Sequence, residues 1–174
     1  MREGDVEQGG VVEGAQVGGT RVGVLRSNQE FMLVASAEVP SGEQLFLIDG
    51  EVTETPSRYS LQVGRELHLD LPQGCGEQEI MDRYFWRFMN HSCAPNARVV
   101  GRQVLAVRDI AAGEQITFHY NTTEYEMAEP FSCGCGAESC AGVVSGYSAL
   151  SPQEREVLSP WLAEHLRESV EVRR

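Results

Sequence analysis

The chain has no lysine; its 14 basic residues are all arginine. They face 26 acidic residues, for a net charge of −12. Binding to nucleic-acid phosphates takes clustered Lys and Arg, so this deficit argues against a direct nucleic-acid partner. It suits a basic peptide partner, steered in by the field of the whole protein, although acidity serves solubility as well. Codon or genome bias is the simplest source of the missing lysine. Long apolar runs are absent too. None approaches the roughly 20 residues of a membrane helix, and no basic segment leads into an apolar one at the start. The expectation is an intracellular protein, nuclear or cytoplasmic, with no membrane partner. The five cysteines are an odd number, and three lie within eight positions. That pattern fits metal ligation in a reducing compartment better than a disulfide framework.

What is present points to a single β-rich domain. A chain of 174 residues with 41% hydrophobic content can bury a core. Residues 1–19 carry six glycines and several acids without an apolar period, and read as a mobile leader or loosely attached first strand. From Thr20, short strands alternate with turn signals. Residues 31–35 form one strand, Pro40-Ser41-Gly42 a turn, and residues 45–48 a second strand. Tyr59, Leu61 and Val63, then Leu67, Leu69 and Leu71, alternate with polar residues and predict a half-buried hairpin. Residues 35–47 match residues 106–118 at an offset of 71, sharing an acid, an apolar residue and Gly-Glu-Gln. Two related halves of one fold are expected.

Between the halves, Ile80, Met81, Tyr84, Phe85, Phe88 and Met89 recur at helical spacings and predict a short helix. After the last cysteine, Val143-Val144 reads as a strand. Ser151 as N-cap and Pro152 at the first helical position open a C-terminal helix, which Pro160 breaks or restarts; Trp161, Leu162 and Leu166 form its apolar face.

The run Cys133-Gly134-Cys135-Gly136-Ala137-Glu138-Ser139-Cys140 offers three thiolates to one tetrahedral ion. The fourth must come from elsewhere, and Cys93, 40 positions before Cys133, is the expected donor. Four thiolates leave no open position, so a Zn²⁺ there is structural. Cys75, between glycines, reads as a free thiol in a loop.

Arg87-Phe88-Met89-Asn90-His91-Ser92-Cys93-Ala94-Pro95-Asn96 is similar to the R-F-x-N-H-S-C-x-P-N motif of SET-domain protein methyltransferases. Gly113-Glu114-Gln115-Ile116-Thr117-Phe118-His119-Tyr120-Asn121 resembles their G-E-x-L-T-F-D-Y-N motif, and the cysteine cluster their post-SET zinc motif. The resemblance implies a mostly β (α+β) architecture: the SET fold, a β-clip of small twisted sheets with the Asn90-His91 segment threaded as a pseudoknot. It divides the chain into a SET domain at 20–130, a zinc-bound post-SET segment at 131–146 and a helical extension at 147–174. It further implies S-adenosylmethionine as cofactor and the ε-amine of a lysine as acceptor, in a basic protein or peptide such as a histone tail. Arg87, Phe88, Asn90 and His91 match cofactor-holding positions, Tyr120 the catalytic tyrosine, and Phe118 the residue that shapes the lysine channel. Phe131 is placed to cover the adenine. Without the motif, Tyr120 and Phe118 would read as strand packing, and Asn90-His91 as a turn.

Two positions depart from the family pattern. Where a G-x-G is usual, the chain has Ser27-Asn28-Gln29, and Asn28 is expected to substitute because Asn tolerates left-handed backbone. Where a tyrosine helps line the lysine site, it has Ile48. His119 replaces the usual Asp and is expected to face away from the site; His68 and His165 read as surface or structural. Leu45 to Ile48 and the Leu67–Leu71 stripe read as core. A second reading therefore stands beside the enzyme: a SET-like module that binds a basic peptide without turnover. In either case an extended peptide would add beside the 59–71 hairpin.

Overall fold

The computed structural model describes residues 20–27 and 30–171; the expected leader at 1–19 and Asn28 lie outside them. Strands β1 (Val22–Ser27) and β2 (Glu30–Ala35) form an antiparallel hairpin. Next come β3 (Gln44–Leu47), β4 (Glu51–Thr53), β5 (Leu61–Gln62) and β6 (His68–Asp70). Helix α1 (Glu77–Asp82) leads into β7 (Asn90–His91), followed by β8 (Ala97–Val100), β9 (Gln103–Ala106) and β10 (Thr117–Phe118). Beyond the cysteine cluster's flanking strands β11 (Phe131–Ser132) and β12 (Val143–Val144) lie α2 (Pro152–Leu158) and α3 (Glu164–Glu171). The strands make five small sheets: β1-β2, β3-β9-β8, β4-β6-β5, β7-β10 and β11-β12.

The 71-residue repeat is a pseudo-twofold in space. Val39 and Ile110, equivalent in the two copies, donate N–H to each other's carbonyl at 2.9 Å. Ala35 N–H bonds Glu114 O, and its counterpart Ala106 bonds Glu43 O, each at 2.9 Å. Gly42 and Gly113 occupy the same turn position with φ of 83° and 81°, a region open to glycine and costly for residues with a Cβ. Val39, Ile110, Leu33, Ile116, Val99 and Val104 are all buried between the copies and the flanking strands. Alternation along β2 puts Leu33 and Ala35 inward, as the pleat requires.

The helix expected over 77–89 is divided. α1 ends at Asp82 with no buried residue, and a 3-10 turn takes over at Phe85–Phe88. Tyr84, Phe85 and Trp86 are all buried, and three consecutive residues cannot share one narrow face of an α-helix. The strand expected at 45–48 is β3, which ends at Leu47, yet Ile48 beyond it is 2% exposed and donates its N–H to Arg102 O. The apolar stripes are only partly core: Leu47 is exposed because alternate strand residues face opposite sides, and Leu67 is exposed in the turn before β6. The 59–71 hairpin is present as β5-β6, with β5 at a sheet edge.

At the C-terminus, Ser151 caps α2 in a reciprocal capping box with Glu154. Pro160 sits in a 3-10 turn that separates α2 from α3. Leu162 and Leu166 pack with Tyr147 in a second small core, while Trp161 is half-buried. Ala163 N–H bonds Thr122 O at 2.8 Å, and His165 Nε2 lies 2.7 Å from Thr123 O. The helical extension therefore braces the loop that follows Tyr120. His68, His119 and His165 are all buried.

Candidate active site

The one parallel pairing among the described strands joins β7 to β10, with Asn90 opposite Thr117 and His91 opposite Phe118. This brings both sequence motifs to one point. Ser92 N–H donates to Phe118 O, and Tyr120 N–H donates to His91 Nδ1 at 3.2 Å. Tyr120 then opens a 3-10 turn, and its hydroxyl donates to Met89 O at 3.0 Å. Phe118 and Tyr120 rings lie 4.7 Å apart.

Two cavities meet at Tyr120. The first is narrow, about 60 Å³, with apolar walls that include Leu61, Trp86, Met89 and Phe118. The second is a cleft of about 780 Å³ lined by Asn90, His91, Thr117 and Phe131 among others. Tyr120 lines both. Burial, with the Glu124 carboxylate nearby, pushes its hydroxyl up to about 12, so it stays protonated and donates. Burial and His119 push His91 down to about 4, so the ring is neutral. With Nδ1 accepting from Tyr120, the proton sits on Nε2, 3.3 Å from Cys93 Sγ.

The expected cofactor residues are distributed unequally. Asn90, His91 and Phe131 border the larger cleft, and Phe131 is 36% exposed. Arg87 instead lines the narrow cavity, its guanidinium 4.2 Å from the Tyr59 ring centroid. Phe88 packs on Phe31 at 5.0 Å and supports the core side of β2. Ile48 is core, so no hydroxyl reaches the narrow cavity from that position. His119 lines neither cavity but packs edge-on against His91, with ring centroids 4.8 Å apart.

Cys93, Cys133, Cys135 and Cys140 converge with their sulfurs within 4.8 Å of one another. Cys93 and Cys133 sulfurs are 3.9 Å apart, close to the ~3.8 Å that four thiolates on a tetrahedral zinc impose. Backbone donors from Cys93 and Ala137 pull Cys135 down to about 6, while burial pushes Cys93 up to about 12. A bound dication would deprotonate the whole set. The donor set fits Zn²⁺. Cys75 is free and half-buried against the main core.

Some site residues carry no mark in the sequence. Glu30, Arg108 and Glu114 border the cleft, and Glu124 and Met127 the narrow cavity. Asn96 was visible in the motif, but its work was not. Wholly buried, it donates to Glu114 Oε1 and Gln115 O and accepts from Thr117 N–H, fastening β10 in place.

The SET domain family model matches residues 30–121. The chain belongs to the SET-domain family. It is 33% identical over 134 residues to the "Histone-lysine N-methyltransferase, H3 lysine-36 specific" of Yarrowia lipolytica, covering 67% of this chain and 17% of that one. It is 34% identical over 86 residues to "Methyltransferase flvH" of Aspergillus flavus, covering 47% of each. The chain thus spans less than half the length of either curated relative. In structure, the methyltransferase domain of human SETMAR matches with a TM-score of 0.53 at 19% identity, over 73% of this chain and 58% of that one. KRYPTONITE, in complex with mCHH DNA, H3(1-15) peptide and SAH, matches with a TM-score of 0.52 at 20% identity, over 71% and 29%. At such identity these likenesses establish the SET fold itself. No helix among the described residues is long and apolar enough to cross a membrane.

Proposed function

We propose that this SET domain transfers a methyl group from S-adenosylmethionine to the ε-amine of a lysine in a basic protein substrate. The observation that carries the reading is the position of Tyr120, the wall common to a narrow apolar channel and a nucleoside-sized cleft. Asn90, His91 and Phe131 would hold the cofactor in the cleft, which when bound supplies an electrophilic methyl on a sulfonium. The lysine side chain would enter the narrow channel, where Phe118 limits its width. In-line displacement needs alignment more than acid–base power. A free lysine has a pKa near 10.4 and must shed a proton before its lone pair can attack. The Met89 carbonyl and Tyr120 hydroxyl present an acceptor and a polar hydrogen-bonding group where the amine would arrive, orienting its lone pair toward the cleft.

Zinc held by Cys93, Cys133, Cys135 and Cys140 would clamp the segment carrying Phe131 onto the loop after Asn90-His91. The relatives named for histone H3 lysine 36 and the net charge of −12 both favour a basic, histone-type peptide in the nucleus. The edge strand β5 beside the channel gives such a peptide a backbone to pair with. Calorimetric titration with S-adenosylmethionine, followed by mass spectrometry of lysine peptides incubated with both, tests the reading. Binding together with methylated peptide is the expected result. Zinc-loaded, folded protein that binds no cofactor would refute it.

A further inference from the structure

Glu124 lines the narrow channel, and no part of the proposed methyl transfer yet uses it. It is 7% exposed, and among the described residues that line the channel it is the single acid. Its Oε1 accepts from Gln62 N–H at 2.8 Å and Thr123 hydroxyl at 3.2 Å; Oε2 makes no hydrogen bond among the described residues. The backbone around it is fixed on three sides. Tyr147 N–H holds Glu124 O at 2.8 Å, Tyr125 N–H reaches Gln62 Oε1 at 2.7 Å, and His165 lies on Thr123 O. A carboxyl this buried is costly to ionise unless a cation or donor visits it.

We propose that Glu124 is the receptor for the substrate's ammonium, pairing with the lysine through Oε2 as the side chain enters the channel. The inference rests on the lysine-methyltransferase reading and names the group that makes the channel select a cationic side chain. Leu61, Trp86, Met89, Phe118 and Met127 give the cavity apolar walls, and the other charges at the cavity are the guanidiniums of Arg58 and Arg87, which repel an ammonium. Arg87 is held over the Tyr59 ring, 4.0 Å from Asp70 Oδ1, so its charge is engaged away from Glu124. The proximity of Glu124 is felt at Tyr120, whose hydroxyl its charge helps to raise. Burial holds the Glu124 carboxyl itself up near 7, so a visiting cation draws it into the ionised form.

The test compares two otherwise identical H3 peptides spanning lysine 36, one with the lysine and one with norleucine, binding to the full zinc-loaded chain. The expected result is that wild type prefers the lysine peptide and that Glu124→Gln lowers that preference by about tenfold or more. Gln keeps an oxygen for Gln62 N–H, and Glu124→Asp is expected to restore part of the preference. A second measurement needs no variant. With a carboxyl titrating near 7, the lysine preference of wild type rises about tenfold from pH 6 to pH 8. Tyr120 stays protonated across that range. Burial lowers the pKa of His165 and of His68, disfavouring their charged forms. A preference that is equal in wild type and Glu124→Gln, and flat with pH, while wild type still methylates the peptide, overturns the role of Glu124 alone. If neither peptide binds and none is methylated, both this inference and the methyltransferase reading fall.

Discussion

The Tyr120 hydroxyl donates to the Met89 carbonyl 3.0 Å away, across the seam where the narrow channel meets the larger cleft. The two residues are distant in sequence: Met89 ends the 3-10 turn that runs into β7, and Tyr120 begins the turn after β10. The β7-β10 pairing sets their separation. Tyr120→Phe therefore removes a hydroxyl from the seam while keeping the ring. Methylation rate is expected to fall about 100- to 1,000-fold, while stability changes by only about 1 kcal/mol. Single-turnover kinetics beside a denaturant melt checks both halves.

Zinc removal should act on the cleft before it acts on the fold. Phe131 lies two residues from Cys133, and Cys93 two from His91. The main core, by contrast, draws on none of the four ligands. A chelator should abolish cofactor binding in calorimetry while far-UV circular dichroism persists. Unchanged cofactor affinity after verified zinc loss would break the coupling.

Asn96 makes three side-chain hydrogen bonds from a fully buried position. Asn96→Ala strands Thr117 N–H beside β10. A destabilisation of about 1–3 kcal/mol is expected from that orphaned donor and acceptor set. Urea unfolding measures it, and a loss of cofactor affinity should accompany it because Thr117 borders the cleft.

Stability should also carry a pH signature from Glu124. Burial raises its folded-state carboxyl from 4.5 to about 7, so the folded state retains a proton that the unfolded state has released. That contribution is complete below pH 4.5 and is lost as pH rises through 7. Wild type should lose on the order of 3 kcal/mol relative to Glu124→Gln between pH 4.5 and pH 8. Parallel melts of the two proteins at several pH values would show it; curves that track each other would contradict it.

The legibility of the chain follows from what kind of contact each feature makes. The 71-residue repeat could be read because each copy uses the same turn chemistry, with glycine at 42 and 113 and an acid after it. Their mutual pairing could not, since sequence spacing carries no information about which strand a segment will meet. The cysteine site was legible because tetrahedral ligation imposes residue type and number. Arg87 was matched to the cofactor by its place in a motif, yet its long side chain reaches the other cavity and stacks on Tyr59. Glu124 left no trace, as one acid among 26 is unremarkable until folding buries it. The helix over 77–89 misled because helical spacing and consecutive burial coincide in aromatic-rich segments.

The most direct measurement is mass spectrometry of a lysine peptide incubated with S-adenosylmethionine and the zinc-loaded chain, beside the Tyr120→Phe variant. The account predicts methyl groups added to lysine by the wild-type chain and almost none by the variant. Equal methylation by both, or none by a wild-type chain shown to bind cofactor and peptide, would contradict it.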